Sequence, residues 1–167
     1  MAIHPNTQSM LYESLPEMLL VAKYCIEFRK DSIWPAHGCY GYPAALILLS
    51  VADSVGSYVE KGNVENHFKI LNNKDYYNLN LDEDAIKVVY NYYRNTLSHH
   101  SVLTPNIVLD IGQAGDKVFE KIDSVFVLKL IPLYNLSVIS VNKLLNNPQV
   151  LLNNITIQNI EKKYEHI

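Results

Sequence analysis

Cysteine is almost missing from this chain: Cys25 and Cys39 are the only two in 167 residues, and neither a Cys-x-x-Cys spacing nor a Cys/His cluster surrounds them. That usage points to neither a disulfide framework nor a zinc site, and it fits a reducing, cytoplasmic setting. Arginine is equally sparse, with Arg29 and Arg94 alone, and the formal net charge is −3 with a pI near 6.0. A chain of this balance has no general attraction for nucleic acid, so any RNA contact has to come from a local basic site. Uninterrupted apolar runs of membrane length are lacking too. The nearest, Val125 to Leu145, contains Lys129, Pro132, Asn135 and Asn142, each costly in lipid, so a buried core helix is expected and not a membrane span. Met1 to Ser9 has no basic stretch followed by an apolar one, so no secretion signal is expected. Neither repeats nor a linker break the chain, although asparagine is abundant throughout.

What is present is globular: apolar residues make up 49% and charged residues 19%, a composition that can bury a core and that reads as one domain over 1–167. Leu11, Leu15, Met18, Leu19, Ala22, Cys25 and Ile26 recur at steps of three and four, predicting a helix from Met10 to Lys30. A Pro/Gly-rich stretch, Trp34 to Tyr42, breaks it. A second helix is expected from about Pro43 to a stop at Lys61-Gly62, apolar nearly all round in its first half and therefore central. Asp82-Glu83-Asp84 forms an acidic first turn, which reads as the start of a third helix to Thr96 or slightly beyond and not as a metal site, because no further carboxylate or histidine follows at ligand spacing. The alternating Ile107 to Ile111, led by Gly112 to Asp116 into Lys117 to Ile122, predicts a small β-hairpin. Asp123 or Ser124 is then placed to cap a long helix to Leu145, with a kink at Pro132, before Asn146-Asn147-Pro148 stops it; a short last helix is expected in Gln149 to Ile167.

The expected apolar stripe of the third helix is Leu81, Ala85, Val88, Val89, Tyr92 and Thr96, which sets Arg94 almost opposite, exposed or facing a partner. Asn95 follows it, and His99 and His100 stand at the expected helix end. A guanidinium is a planar, permanently charged fork for phosphate oxygens, and an imidazole moves protons near neutral pH. Together these are the groups that RNA cleavage without a metal requires. The imidazole deprotonates the ribose 2′-hydroxyl or protonates the 5′-oxygen, and the arginine stabilises charge on the five-coordinate phosphorus. In an unbroken α-helix, however, Arg94 and His99 diverge by roughly 140°, with His99 turned to the apolar stripe. Catalysis then needs the helix to end or distort near Thr96, or a second protomer to complete the site.

The run Arg94-Asn95-Thr96-Leu97-Ser98-His99 resembles the signature of the HEPN superfamily, an arginine, usually a polar residue after it, and a histidine after four to six intervening positions. The apolar run from Ala45 to Gly56 is similar to a HEPN core helix. The resemblance implies an up-down bundle of about four to five helices, here with the hairpin inserted before the long C-terminal helix. It further implies a homodimer whose motifs meet across the interface, often a metal-independent endoribonuclease of a defence or toxin–antitoxin system with an antitoxin or regulator as partner. Arg94 and His99 then form the catalytic centre and Asn95 orients them, with no cofactor or metal. Ser101 stands where HEPN toxins paired with a nucleotidyltransferase carry a tyrosine, a departure that weakens that particular pairing. A different class stays open: a non-catalytic dimeric module that binds a protein, nucleotide or RNA through the same surface. So does a structural helix pair in which Arg94 meets a carboxylate across an interface, while His99 and His100 serve only the helix end. His37 and His67 read as surface or structural histidines, and the pairs Tyr76-Tyr77 and Tyr92-Tyr93 as core or interface more than base-stacking platforms.

Overall fold

Asn6 opens the first helix, α1 (Thr7–Glu27), by accepting the Ser9 amide at 2.8 Å on its side-chain oxygen. The computed structural model describes residues 6–30, 38–60 and 62–152. Leu15, Leu19, Ala22, Cys25 and Ile26 form the buried face of α1, as the three-four spacing predicts. At its end the Arg29 guanidinium donates to the Ile26 carbonyl at 2.6 Å, a cation on the carbonyls that a helix terminus leaves without partners. One of the two arginines is thereby accounted for.

The second helix, α2 (Gly41–Val59), carries Pro43 in its first turn, where a missing N–H costs nothing. Nine of its residues are buried, from Ala44 to Tyr58. By length and composition it could cross a bilayer. Its buried residues instead belong to the same core as those of α1 and of the later α6 (Leu130–Leu145), both of which pack on it. The central position expected for this helix is what the structure has. A short α3 (Val64–His67), capped by Asn63, runs into a 3₁₀ turn (Phe68–Asn72) that plants Phe68, Ile70 and Leu71 in the core. Asn72 then clasps Leu81 at two points, donating to its carbonyl and accepting from its amide, each at 2.6 Å.

Where one continuous third helix is expected, three segments follow without a break: α4 (Glu83–Val88), capped by Asp82; a π-helical segment (Val89–Asn95); and α5 (Thr96–His100), closed by left-handed Ser101. The wider π turn shifts the helical register. Val89, Tyr93 and Leu97 are buried, and Tyr92, expected on the stripe, is 45% exposed. Tyr93 reaches the sheet, its hydroxyl lying 3.1 Å from the Val108 carbonyl and 2.9 Å from that of Phe126.

The β region corrects the expected hairpin. There are three strands, β1 (Ile107–Asp110), β2 (Phe119–Ile122) and β3 (Val125–Lys129), in the order β1-β3-β2. The antiparallel hairpin joins β2 to β3 around Asp123-Ser124, and β1 lies parallel to β3. Asp123, left-handed at φ 54, turns the hairpin and does not cap a helix. Val125-Phe126-Val127-Leu128 is β-branched and aromatic, and an apolar run this short fits a buried strand as well as a helix. Because α6 begins only at Leu130, Pro132 falls in its first turn and no kink is needed. The described part of the expected last helix is α7 (Pro148–Leu152).

Two buried phenols make the core sensitive to alkali. Tyr77 is sealed inside, donating to the Ser137 hydroxyl at 3.1 Å, and burial pushes both Tyr77 and Tyr93 well above the usual tyrosine range. The folded state thus holds these protons more tightly than the unfolded chain does. The stability they contribute is complete below the unfolded value near 10 and is lost as pH rises toward the folded one. Tyr77→Phe should cost about 1–3 kcal/mol at neutral pH by stranding the Ser137 hydroxyl, and Tyr77→Phe/Tyr93→Phe should flatten the loss of stability above pH 10. Urea denaturation at several pH values checks both.

Candidate functional site

A lone charge interrupts the central helix. From Gly41 to Val59 only Asp53 is ionisable as an acid or base of full charge, and its carboxylate binds two partners at once. Oδ2 accepts from Arg94 Nη2 at 3.2 Å, and Oδ1 lies 2.9 Å from His67 Nδ1. The three side chains are partly buried, at 18% exposure for Asp53, 27% for Arg94 and 16% for His67. Arg94 Nη1 also donates to Asn95 Oδ1 at 3.2 Å. Asp53 and Asn95 therefore fix the guanidinium, on a side chain that stays partly exposed. With Nδ1–H on the carboxylate, the imidazole keeps Nε2 as its basic nitrogen.

A close approach of backbones positions His67. A Cβ on Gly56 would fall 2.1 Å from the His67 carbonyl oxygen, so α3 packs on α2 at a distance that only glycine permits. Asn63 starts α3 by accepting the Asn66 amide at 3.1 Å. The imidazole is thus set over Asp53 by the backbone of its own segment.

These positions correct two expectations. Arg94 does not stand opposite the buried stripe: with the π segment shifting that stripe to Val89, Tyr93 and Leu97, Arg94 neighbours Tyr93 and turns onto Asp53 within its own chain. His99 is not turned to the core. It lies two residues past buried Leu97, on the opposite side of α5, and is exposed with its ring edge-on to His100. Among the described residues no side-chain hydrogen bond or ion pair involves His99, and none joins it to Arg94. Asn95 does meet Arg94. Both histidines occupy the last turn before Ser101, as expected for a helix end. Of the tyrosine pairs, Tyr77 and Tyr93 are core residues; His37 lies outside the described residues.

Asp53 and His67 are the members that sequence reasoning missed. The signal for Asp53 was available, a single carboxylate in an otherwise uncharged helix, since such a group is rarely buried without a partner. Nothing in the spacing of His67 announces its pairing with Asp53, because that link is tertiary. No group of three His, Cys, Asp or Glu side chains among the described residues is placed to hold a metal ion. No protein-family model, curated protein or solved structure matches the chain.

Gly56→Ala isolates the packing that builds the site. In an ordinary helix interior the change stabilises by about 1 kcal/mol; here the new methyl meets the His67 carbonyl, so the protein should lose stability by about 1–3 kcal/mol. Chemical denaturation reads the sign, and a stabilised Gly56→Ala protein would contradict the contact.

Proposed function

We propose that this chain is a metal-independent endoribonuclease of the HEPN kind, acting as a homodimer, with Arg94, Asn95 and His99 at its centre. What carries the reading is the state of Arg94. A guanidinium held by Asp53 through Nη2 and by Asn95 through Nη1 has further N–H donors, and it sits five residues before an exposed histidine at the end of the same helical run. Such an arginine is oriented before substrate arrives, which is what makes a charged donor effective in a transition state.

In this reading Arg94 binds the phosphate between two nucleotides and stabilises the charge that grows on its oxygens as the ribose 2′-oxygen attacks. An imidazole takes the 2′-hydroxyl proton, and an imidazolium gives one to the departing 5′-oxygen. The bond from O2′ to phosphorus forms as that from phosphorus to O5′ breaks, leaving a 2′,3′-cyclic phosphate and a 5′-hydroxyl. A partner protomer brings the second motif, which accommodates the outward position of His99.

A second reading is favoured by a different observation. α1 exposes Leu20, Val21 and Tyr24, and Asp53 partly neutralises Arg94, features suited to a non-catalytic module that docks a partner. Incubating a mixed RNA pool with the purified protein in EDTA separates the two. The endoribonuclease reading expects cleavage to cyclic-phosphate ends, reduced about 100-fold or more by Arg94→Ala and by His99→Ala. Folded wild-type protein that leaves the RNA intact would favour the docking module.

A further inference from the structure

His67 is the histidine that the fold delivers to Arg94. Its Nδ1 lies 2.9 Å from one oxygen of Asp53 while Arg94 Nη2 lies 3.2 Å from the other, so a single carboxylate separates imidazole from guanidinium. The backbone of His67 is anchored by its amide on the Asn63 carbonyl at 3.2 Å and by its own carbonyl against Gly56. Nδ1 is committed to Asp53. Nε2 has no hydrogen-bond partner among the described residues and is not sealed off, since Ser140 Oγ is the sole buried side-chain nitrogen or oxygen there without one. The cluster holds the parts of a base beside a phosphate site: a carboxylate on Nδ1 to steady the charge the ring acquires, an Nε2 that is not enclosed, and a cation fixed on the same carboxylate.

We propose that His67 is the general base of the reaction, a role that rests on the endoribonuclease reading above. Nε2 takes the proton of the 2′-hydroxyl as O2′ bonds to phosphorus, and Asp53 steadies the imidazolium that results. His99, exposed and without a carboxylate partner among the described residues, supplies the proton that the 5′-oxygen takes as its bond to phosphorus breaks. Both protons are thereby accounted for, and Arg94 lies between them in role, binding the phosphate oxygens.

The test uses full-length protein in EDTA and two RNA oligonucleotides with one cleavable ribose each, one with the natural 5′-oxygen and one with a bridging 5′-sulfur. A thiolate leaves without a proton, so the sulfur substrate bypasses the acid and not the base. His67→Asn keeps an N–H for Asp53 and removes the basic nitrogen; it should slow cleavage of both substrates about 100-fold. His99→Ala should be slow on the oxygen substrate and near wild type on the sulfur one. If His67→Asn cleaves the oxygen substrate within about threefold of wild type while Arg94→Ala and His99→Ala are inert, His67 is not the base and the endoribonuclease reading stands. Rescue of His67→Asn by sulfur would equally overturn the base role. Wild-type protein that cleaves neither substrate would remove both proposals. Should His67→Asn not fold, nuclear magnetic resonance of the wild type decides: an uncleavable 2′-deoxy dinucleotide should shift the His67 ring signals together with those of Arg94. A shift at Arg94 alone would contradict the proposal.

Discussion

How closely another segment can approach the central helix decides what this molecule can build. Ala44, Ala45, Ala52 and Gly56 give α2 a smooth surface, and at Gly56 the backbone of His67 comes so near that no side chain fits between. Asp53 lies one turn earlier on the same helix. The approach that buries apolar surface is therefore also the one that lowers an imidazole onto a carboxylate. Packing and polar chemistry share one constraint there, which is why a single methyl at Gly56 reaches both.

The other half of the cluster depends on a helix that does not keep its period. An α-helix from Glu83 to His100 would hold one face inward throughout. The π segment rotates the following residues, so that Tyr93 enters the core and ties the helix to β1 and β3 through two strand carbonyls, while Arg94 turns to Asp53. A π turn is uncommon in helices and recurs where side chains have to be re-aimed. Here the re-aimed pair is one residue that holds the sheet and one that holds the carboxylate. Through these two neighbouring residues the third helical run contacts both the sheet and the candidate site.

Much of the helical architecture was legible from period alone. The faces of α1 and α2 follow their apolar spacing, and Pro43, Asp82 and the Gly62 stop mark boundaries by ordinary helix-end chemistry. What escaped was tertiary or ambiguous. Val125–Lys129 is too short and too apolar to declare itself strand or helix, and its pairing with both β1 and β2 is set by contacts that no local window contains. The π turn left no mark in the spacing, so Tyr92 and Tyr93 exchanged roles and Arg94 was placed on the wrong side. At the candidate site the helix-end position of His99 was readable, whereas the bonds of Asp53 to Arg94 and to His67 were not. The abundance of asparagine, which looked like compositional bias, has local work in several places: Asn6 and Asn63 cap helices, Asn72 clasps a loop, and Asn78, Asn80 and Asn106 take up the left-handed backbone that asparagine tolerates better than most residues.

In the proposed mechanism Asp53 joins Arg94 and His67 into a reacting group and is not merely a brace. Asp53→Asn addresses it most directly, because the amide keeps the shape and some of the hydrogen bonding while removing the charge. Its RNA cleavage rate in EDTA should be measured beside its thermal midpoint. A folded protein whose cleavage falls about 100-fold is expected. A variant that cleaves RNA as wild type does, with only its thermal midpoint lowered, would contradict it and leave Asp53 as a structural link between α2 and its neighbours.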